Sequence, residues 1–176
     1  MQICKRQVAL LAMASTTALA QSPVQRTEHR VMVDSVAPAT QGQQVSLYVR
    51  QVSTAAPTEA IPVLFVHGAG TPAEVAFDVP VEGYSWMASL AERGFVTYAT
   101  DMTGYGRSQR PDAMADRCNL SEEQQKQEFG DTCKATVATA LTTMASDWHD
   151  IDAVVDFVRS RHGVDKVHLV GWSQGG

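Results

Sequence analysis

The run Ile61-Pro62-Val63-Leu64-Phe65-Val66 constrains this chain more than any other stretch. It has no polar position. A strand with one wet face alternates, whereas a strand apolar throughout has to be covered on both faces, the situation of parallel sheets packed between helices. Phe95-Val96-Thr97-Tyr98-Ala99 and Lys166-Val167-His168-Leu169-Val170 repeat the theme as further buried strands. Helical patterns separate them. Ser85 caps one that runs through Arg93 with Trp86, Met87, Leu90 and Ala91 on one side, and Gly94 stops it. Ser146 opens the longest, where Trp148, Ile151, Val154, Val155 and Val158 share a face at spacings of three and four. Its acids, Asp147 and Asp150, lie near its start and its bases, Arg159, Arg161 and His162, near its end, as the helix dipole favours; Gly163 ends it. The order predicts an α/β domain with a largely parallel sheet. Upstream, Gln43–Val52 alternates, with Val45, Leu47 and Val49 on one side and Gln44, Ser46, Tyr48 and Arg50 on the other. That period of two predicts a half-exposed strand, and Arg30–Val33 is a candidate first strand before it.

Two segments stand outside this alternation. Residues 1–20 carry Lys5 and Arg6, then the apolar run Val8–Ala14, then Ala18-Leu19-Ala20. Charge, short apolar run and small-residue cleavage site are the order of a secretory signal peptide. The run is too short for a bilayer, which takes about 20 residues. The expectation is a secreted or periplasmic protein of residues 21–176 with no stable membrane anchor after cleavage. Net charge is −5, and two units more negative without Lys5 and Arg6, which excludes the basic footprint of nucleic-acid binding. Residues 109–145 form a long polar excursion, with Ser121 and Gln124 as a capping box for a short helix ending at Gly130. A connection of this length is a lid, a binding loop or partly disordered. It holds Cys118 and Cys133, the two cysteines left once Cys4 departs with the signal. In an oxidising compartment they are a disulfide candidate, the alternative being two buried thiols. No metal-ligand spacing surrounds them.

Three turns carry the chemistry. The strand 166–170 runs directly into Gly171-Trp172-Ser173-Gln174-Gly175-Gly176. Strand followed by Gly-x-Ser-x-Gly is the pattern of a nucleophile elbow, in which a serine is lifted on a strained bend at the top of a sheet. Alone the motif is weak, since about one chain in twenty of this length would hold it by chance at ordinary Gly and Ser frequencies. Two further motifs strengthen it. His67-Gly68-Ala69-Gly70 follows the strand 61–66, and Asp101-Met102-Thr103-Gly104-Tyr105-Gly106-Arg107-Ser108 follows the strand 95–99.

With these three motifs in place, the chain resembles the α/β-hydrolase superfamily, in its esterase- and lipase-like branch with a serine nucleophile. The resemblance runs from about the second strand to residue 176, with 109–145 outside the shared pattern. It implies an α/β-hydrolase-type sheet with flanking helices and acyl transfer through Ser173 to a small ester-like substrate. It further implies an oxyanion hole built from the backbone N–H groups of Gln174 and Ala69. Serine acyl transfer needs no metal, and no cofactor is implied. His67 is expected to shape the oxyanion loop rather than to move protons, and Asp101 to hydrogen-bond its own turn. Aspartate-nucleophile relatives carry that aspartate at the elbow, where this chain has Ser173.

The family's order is Ser, then Asp or Glu, then His, whereas His29, His67, His149, His162, His168 and every carboxylate here precede Ser173. The expectation is therefore the amino-terminal part of a hydrolase domain, truncated after the elbow. Such a chain would be inactive alone, with the triad acid and base on later strands of the intact protein. The alternatives are a non-catalytic binding fragment or pseudogene product, and another serine-nucleophile activity such as peptidase, thioesterase or acyltransferase.

Overall fold

A computed structural model describes residues 23–176. The signal peptide expected at 1–20 lies outside the described residues. Five strands form one sheet: β1 (Gln25–Asp34), β2 (Gln44–Ser53), β3 (Val63–Val66), β4 (Thr97–Thr100) and β5 (His168–Gly171), in the order β1-β2-β4-β3-β5. β4, β3 and β5 are parallel, while β2 is antiparallel to both β1 and β4, so the sheet is mixed. The parallel part arises where helices intervene between strands, since a parallel neighbour requires a crossover. The first strand is longer than Arg30–Val33 because its whole length pairs with β2, Gln25 opposite Ser53 and Asp34 opposite Gln44.

Helices cover both faces, as the apolar β3 requires. Val63 and Phe65 face α1 (Ala73–Phe77) and α2 (Trp86–Ala91), packing with Ala73, Phe77, Met87 and Ala91. Leu64 and Val66 face the opposite cluster, which Val154 and Val158 of α4 (Met144–His162) complete with Val45, Leu47 and Val49. Ser85 caps α2, its hydroxyl accepting from Ala88 N–H. α3 (Glu122–Phe129) carries the Ser121–Gln124 capping box and stops at the left-handed Gly130. Among the described residues no helix is long and apolar enough to cross a membrane.

Four expectations are corrected. β2 is not half-exposed: Tyr48 is fully buried and Arg50 is 9% exposed, because charged partners cover that face. The Asp78 carboxylate accepts from Arg50 Nε at 2.5 Å, from Arg26 Nε and Nη2 at 2.9 Å each, and from the Ser85 hydroxyl at 2.6 Å. Arg107 lies over the Tyr48 ring, 4.3 Å from its centroid, and pairs with Glu28 and Glu74. β5 is not buried as its apolar run suggested: among the described residues it pairs with β3, and its His168 and Leu169 are exposed. α4 begins before Ser146: Thr143 is its N-cap, and Ser146 supplies the returning side chain of the capping box. Trp86 and Trp148, read as facing the core with the apolar side of each helix, lie outside it at 54% and 61% exposure, because the buried stripe runs beside them, through Met87 and Ala91 in α2 and through Asp147, Asp150, Val154 and Val158 in α4.

Candidate active site around the Ser173 turn

Glycines set the geometry of the turn after β5. Gly175 passes so close to β3 that an added Cβ would meet Val66 O at 2.5 Å, and one on Gly171 would strike the Gly175 carbonyl. Trp172 N–H donates to Val66 O at 3.1 Å, which fastens the turn to the end of β3. Between these points Ser173 takes φ +54°, the sole non-glycine residue with positive φ among those described. Left-handed backbone at a side chain with a Cβ costs on the order of 1–3 kcal/mol and persists only where the surroundings impose it. A short 3-10 turn, Ser173–Gly175, follows, and the Ser173 side chain is exposed at its mouth.

The loop after β3 presses on this turn. A Cβ on Gly68 would lie 2.8 Å from both Ser173 Cβ and Trp172 O, so only glycine allows the approach. Ala69, the next residue, is exposed beside it, and Gly70 turns the chain away with φ +77°. Gly175 and Gly176 N–H donate to Trp172 O and Ser173 O at 3.0 and 3.1 Å. Among the described residues the N–H groups of Ala69 and Gln174 donate to no protein acceptor, and the Ser173 hydroxyl has no partner. An exposed hydroxyl between two loops with unused donors is the arrangement that could hold a developing oxyanion.

His67 is fully buried and has both ring nitrogens engaged. Its Nε2 accepts from Met102 N–H at 3.2 Å, so Nδ1 carries the proton and donates to Gly68 O at 2.8 Å. The Tyr105 ring packs against it with centroids 4.6 Å apart. This histidine shapes the Gly68–Ala69 loop. Asp101 is likewise a brace. It accepts from Arg107 N–H at 2.8 Å within its own turn and from Ala73 N–H at 2.7 Å, capping α1, which has no side-chain cap of its own.

The remaining histidines point elsewhere. His29 meets Gln51, His149 meets the Asp34 carbonyl, and His162 meets the Tyr98 hydroxyl. His168, expected to be packed within its strand, is exposed at the end of β5 far from the turn, opposite Val63. Cys118 and Cys133 form a disulfide in the excursion. The buried Gln125 clamps it, donating to Cys118 O and Leu120 O and accepting from Cys133 N–H. None of these groups reaches Ser173.

Two residues near the turn escape sequence reasoning. Asp147 and Asp150, which read as dipole partners of α4, are buried at 5% and 2% exposure. Asp150 accepts from Thr103 N–H at 2.7 Å, and Asp147 accepts from the Gln174 side-chain amide at 2.9 Å. Burial pushes both carboxyls above the usual carboxylate range against the pull of these hydrogen bonds. Their position in the first turns of a capped helix was the visible signal; their burial depends on loops distant in sequence.

Residues 61–176 match the family described as alpha/beta hydrolase fold. No curated protein matches the chain. Among solved structures, an epoxide hydrolase from Vigna radiata is 21% identical with TM-score 0.44, covering 84% of this chain and 32% of its own. A haloalkane dehalogenase loop variant from Bradyrhizobium elkanii is 19% identical with TM-score 0.46, covering 85% and 33%. The thioesterase domain from the curacin biosynthetic pathway is 16% identical with TM-score 0.46, covering 85% and 37%. The chain thus spans about a third of the length of the solved structures it matches.

Proposed function

The chain belongs to the alpha/beta hydrolase family, and from that premise we propose an exported serine hydrolase that cleaves carboxylic esters through an acyl-enzyme on Ser173. One observation carries the reading: Ser173 is held at φ +54° on a glycine-walled turn against the Gly68 loop. In this reading the Ser173 oxygen attacks the ester carbonyl carbon, and the carbonyl electron pair moves to oxygen. That oxyanion accepts hydrogen bonds from the main-chain N–H groups of Ala69 and Gln174, each worth about 3–4 kcal/mol where such a donor has been removed in serine hydrolases. Collapse expels the alcohol with a proton, and water then attacks the acyl-serine to release the acid. No residue of the chain is assigned as triad acid or base, because its five histidines are engaged or placed elsewhere. Export is proposed from residues 1–20 and agrees with a disulfide in the excursion.

The test uses the protein isolated from its native source. A fluorophosphonate should form an adduct on the peptide containing Ser173, and Ser173→Ala should abolish it. An unlabelled protein, or an adduct on another residue, would sink the assignment. Recovery of the protein in the cytoplasm with residues 1–20 still attached would separately overturn export.

A further inference from the structure

The first turns of α4 bury three polar side chains, and two have evident work. Ser146 closes the capping box, and Asp150 holds the loop after β4 through Thr103 N–H. Asp147 is different. One carboxyl oxygen, Oδ2, accepts from Gln174 Nε2 at 2.9 Å; the other, Oδ1, is buried without a partner among the described residues. Asp150 and His67 are the other titratable groups acting on it, one carboxyl of like charge and one imidazole. Burying a half-satisfied carboxyl is unfavourable, so the contact with Gln174 stands out as the feature it serves.

Gln174 is the residue after Ser173, and its own N–H is unused while the next two N–H groups close the 3-10 turn. The orientation of the Ser173–Gln174 peptide plane therefore depends on what holds residue 174. The Gln174 side chain is attached to a 19-residue helix capped at both ends, by Thr143 and by Gly163. Donors that stabilise a developing charge work because they are fixed beforehand, and the groups that lock them are part of that arrangement.

We propose that Asp147 is a positioning residue for the Ser173 turn: through the Gln174 side chain it fixes the direction of the Gln174 main-chain N–H. The proposal rests on the reading of Ser173 as nucleophile and Gln174 N–H as oxyanion donor. Asp147 touches no substrate, and its effect belongs to the transition state rather than to substrate binding.

The experiment measures p-nitrophenyl acetate hydrolysis and fluorophosphonate labelling rates of the native protein against Asp147→Ala, Gln174→Ala and the double variant. Each single variant should lower kcat by about 10-fold with KM unchanged, since a misaimed donor forfeits part of what a deleted one loses. The double variant should be no slower than the singles, as expected of residues acting through one contact. Asp147→Asn, which keeps an acceptor oxygen, should restore the rate to within about threefold of wild type. Additive losses, or loss expressed in KM, would overturn the proposal. Should Asp147→Ala fail to fold, Gln174→Ala and Asp147→Asn still decide it: an unchanged kcat in Gln174→Ala overturns it. The Gln174 side-chain amide gives a readout independent of activity. Its nitrogen and proton resonances should shift in Asp147→Ala and stay close to wild type in Asp147→Asn; an amide that Asp147→Ala leaves unmoved overturns the proposal. A wild-type protein that labels but shows no Asp147 effect removes this inference alone. One that does not label at Ser173 removes the functional reading and the positioning role together, even if the amide responds to Asp147→Ala.

Discussion

β2 and β5 belong to the same sheet and are held in opposite ways. β2 lies between β1 and β4 and is sealed on one face by Val45, Leu47 and Val49 packing under α4. Its other face presents Tyr48 and Arg50, which are buried all the same, because Asp78, Arg26, Glu28 and Arg107 close over them. β5 is apolar along most of its length yet has one neighbour among the described residues; its Leu169 is 57% exposed, and Trp172 just beyond it 59%. Burial in this sheet is decided by what covers a strand. The covered strand can carry charge when its partners come with it. The open strand delivers the turn that bears Ser173.

Breaking the charge cover of β2 should have the largest effect. Asp78, with a side chain fully removed from solvent, holds Arg50 and Arg26 together. Asp78→Ala takes the closest carboxylate from buried Arg50, leaving it only Glu28 and Glu74 at 3.6 Å, and should cost about 3–5 kcal/mol, read from urea unfolding. Replacing Asp78 and Arg50 together with apolar residues of similar volume should recover most of that loss; no recovery would show that the ions contribute more than cover. Next in size, Leu47→Ala beneath α4 should cost about 2–5 kcal/mol, as for other fully buried leucines.

The acidic groups sharpen the contrast through pH. Burial raises the Asp78 pKa, but Arg26, Ser85 and Arg50 outweigh it, so the folded value lies below the unfolded one. Its stabilising contribution is complete above about pH 4 and is lost as pH falls through the folded value. Asp147 has the opposite sign: burial holds its folded value above the unfolded one. Its contribution is complete below about pH 4 and is lost as pH rises through the folded value. Unfolding curves against pH should therefore show Asp78→Asn removing an acid-side loss, and Asp147→Asn removing an alkaline-side decline. The same slope in both variants would contradict this.

The smallest effect is expected on the open strand. Leu169→Ala should change the stability of the chain by no more than about 0.5 kcal/mol, the usual range for exposed positions. A loss in the native protein comparable with that of Leu47→Ala would show that something covers β5, and would end the contrast with β2.

Much of this architecture was legible because its signals are local. The capping box at Ser121–Gln124, the cap at Ser85 and the left-handed stops at Gly130 and Gly163 are written in a few adjacent residues. The apolar β3 correctly demanded helices on both faces. What was hidden is non-local. Arg50 and Asp78 are 28 positions apart, and Arg26 and Asp78 are 52. No period within β2 could announce that its polar side is buried. The same holds at the site: Gly68 against Ser173, and Asp147 against Gln174, are contacts between separate segments. The start of α4 was missed for a smaller reason. Both Thr143 and Ser146 are good cap residues, and which one begins the helix depends on the reciprocal bond between them.

The central claim is that the Ser173 turn carries the nucleophile. Its most direct test is to mix the native protein with p-nitrophenyl acetate, quench in acid within the first turnover, and map the peptides by mass spectrometry. An acetyl group is expected on the peptide containing Ser173, and none in Ser173→Ala. An acetyl group on another residue, or ester turnover undiminished in Ser173→Ala, would contradict it.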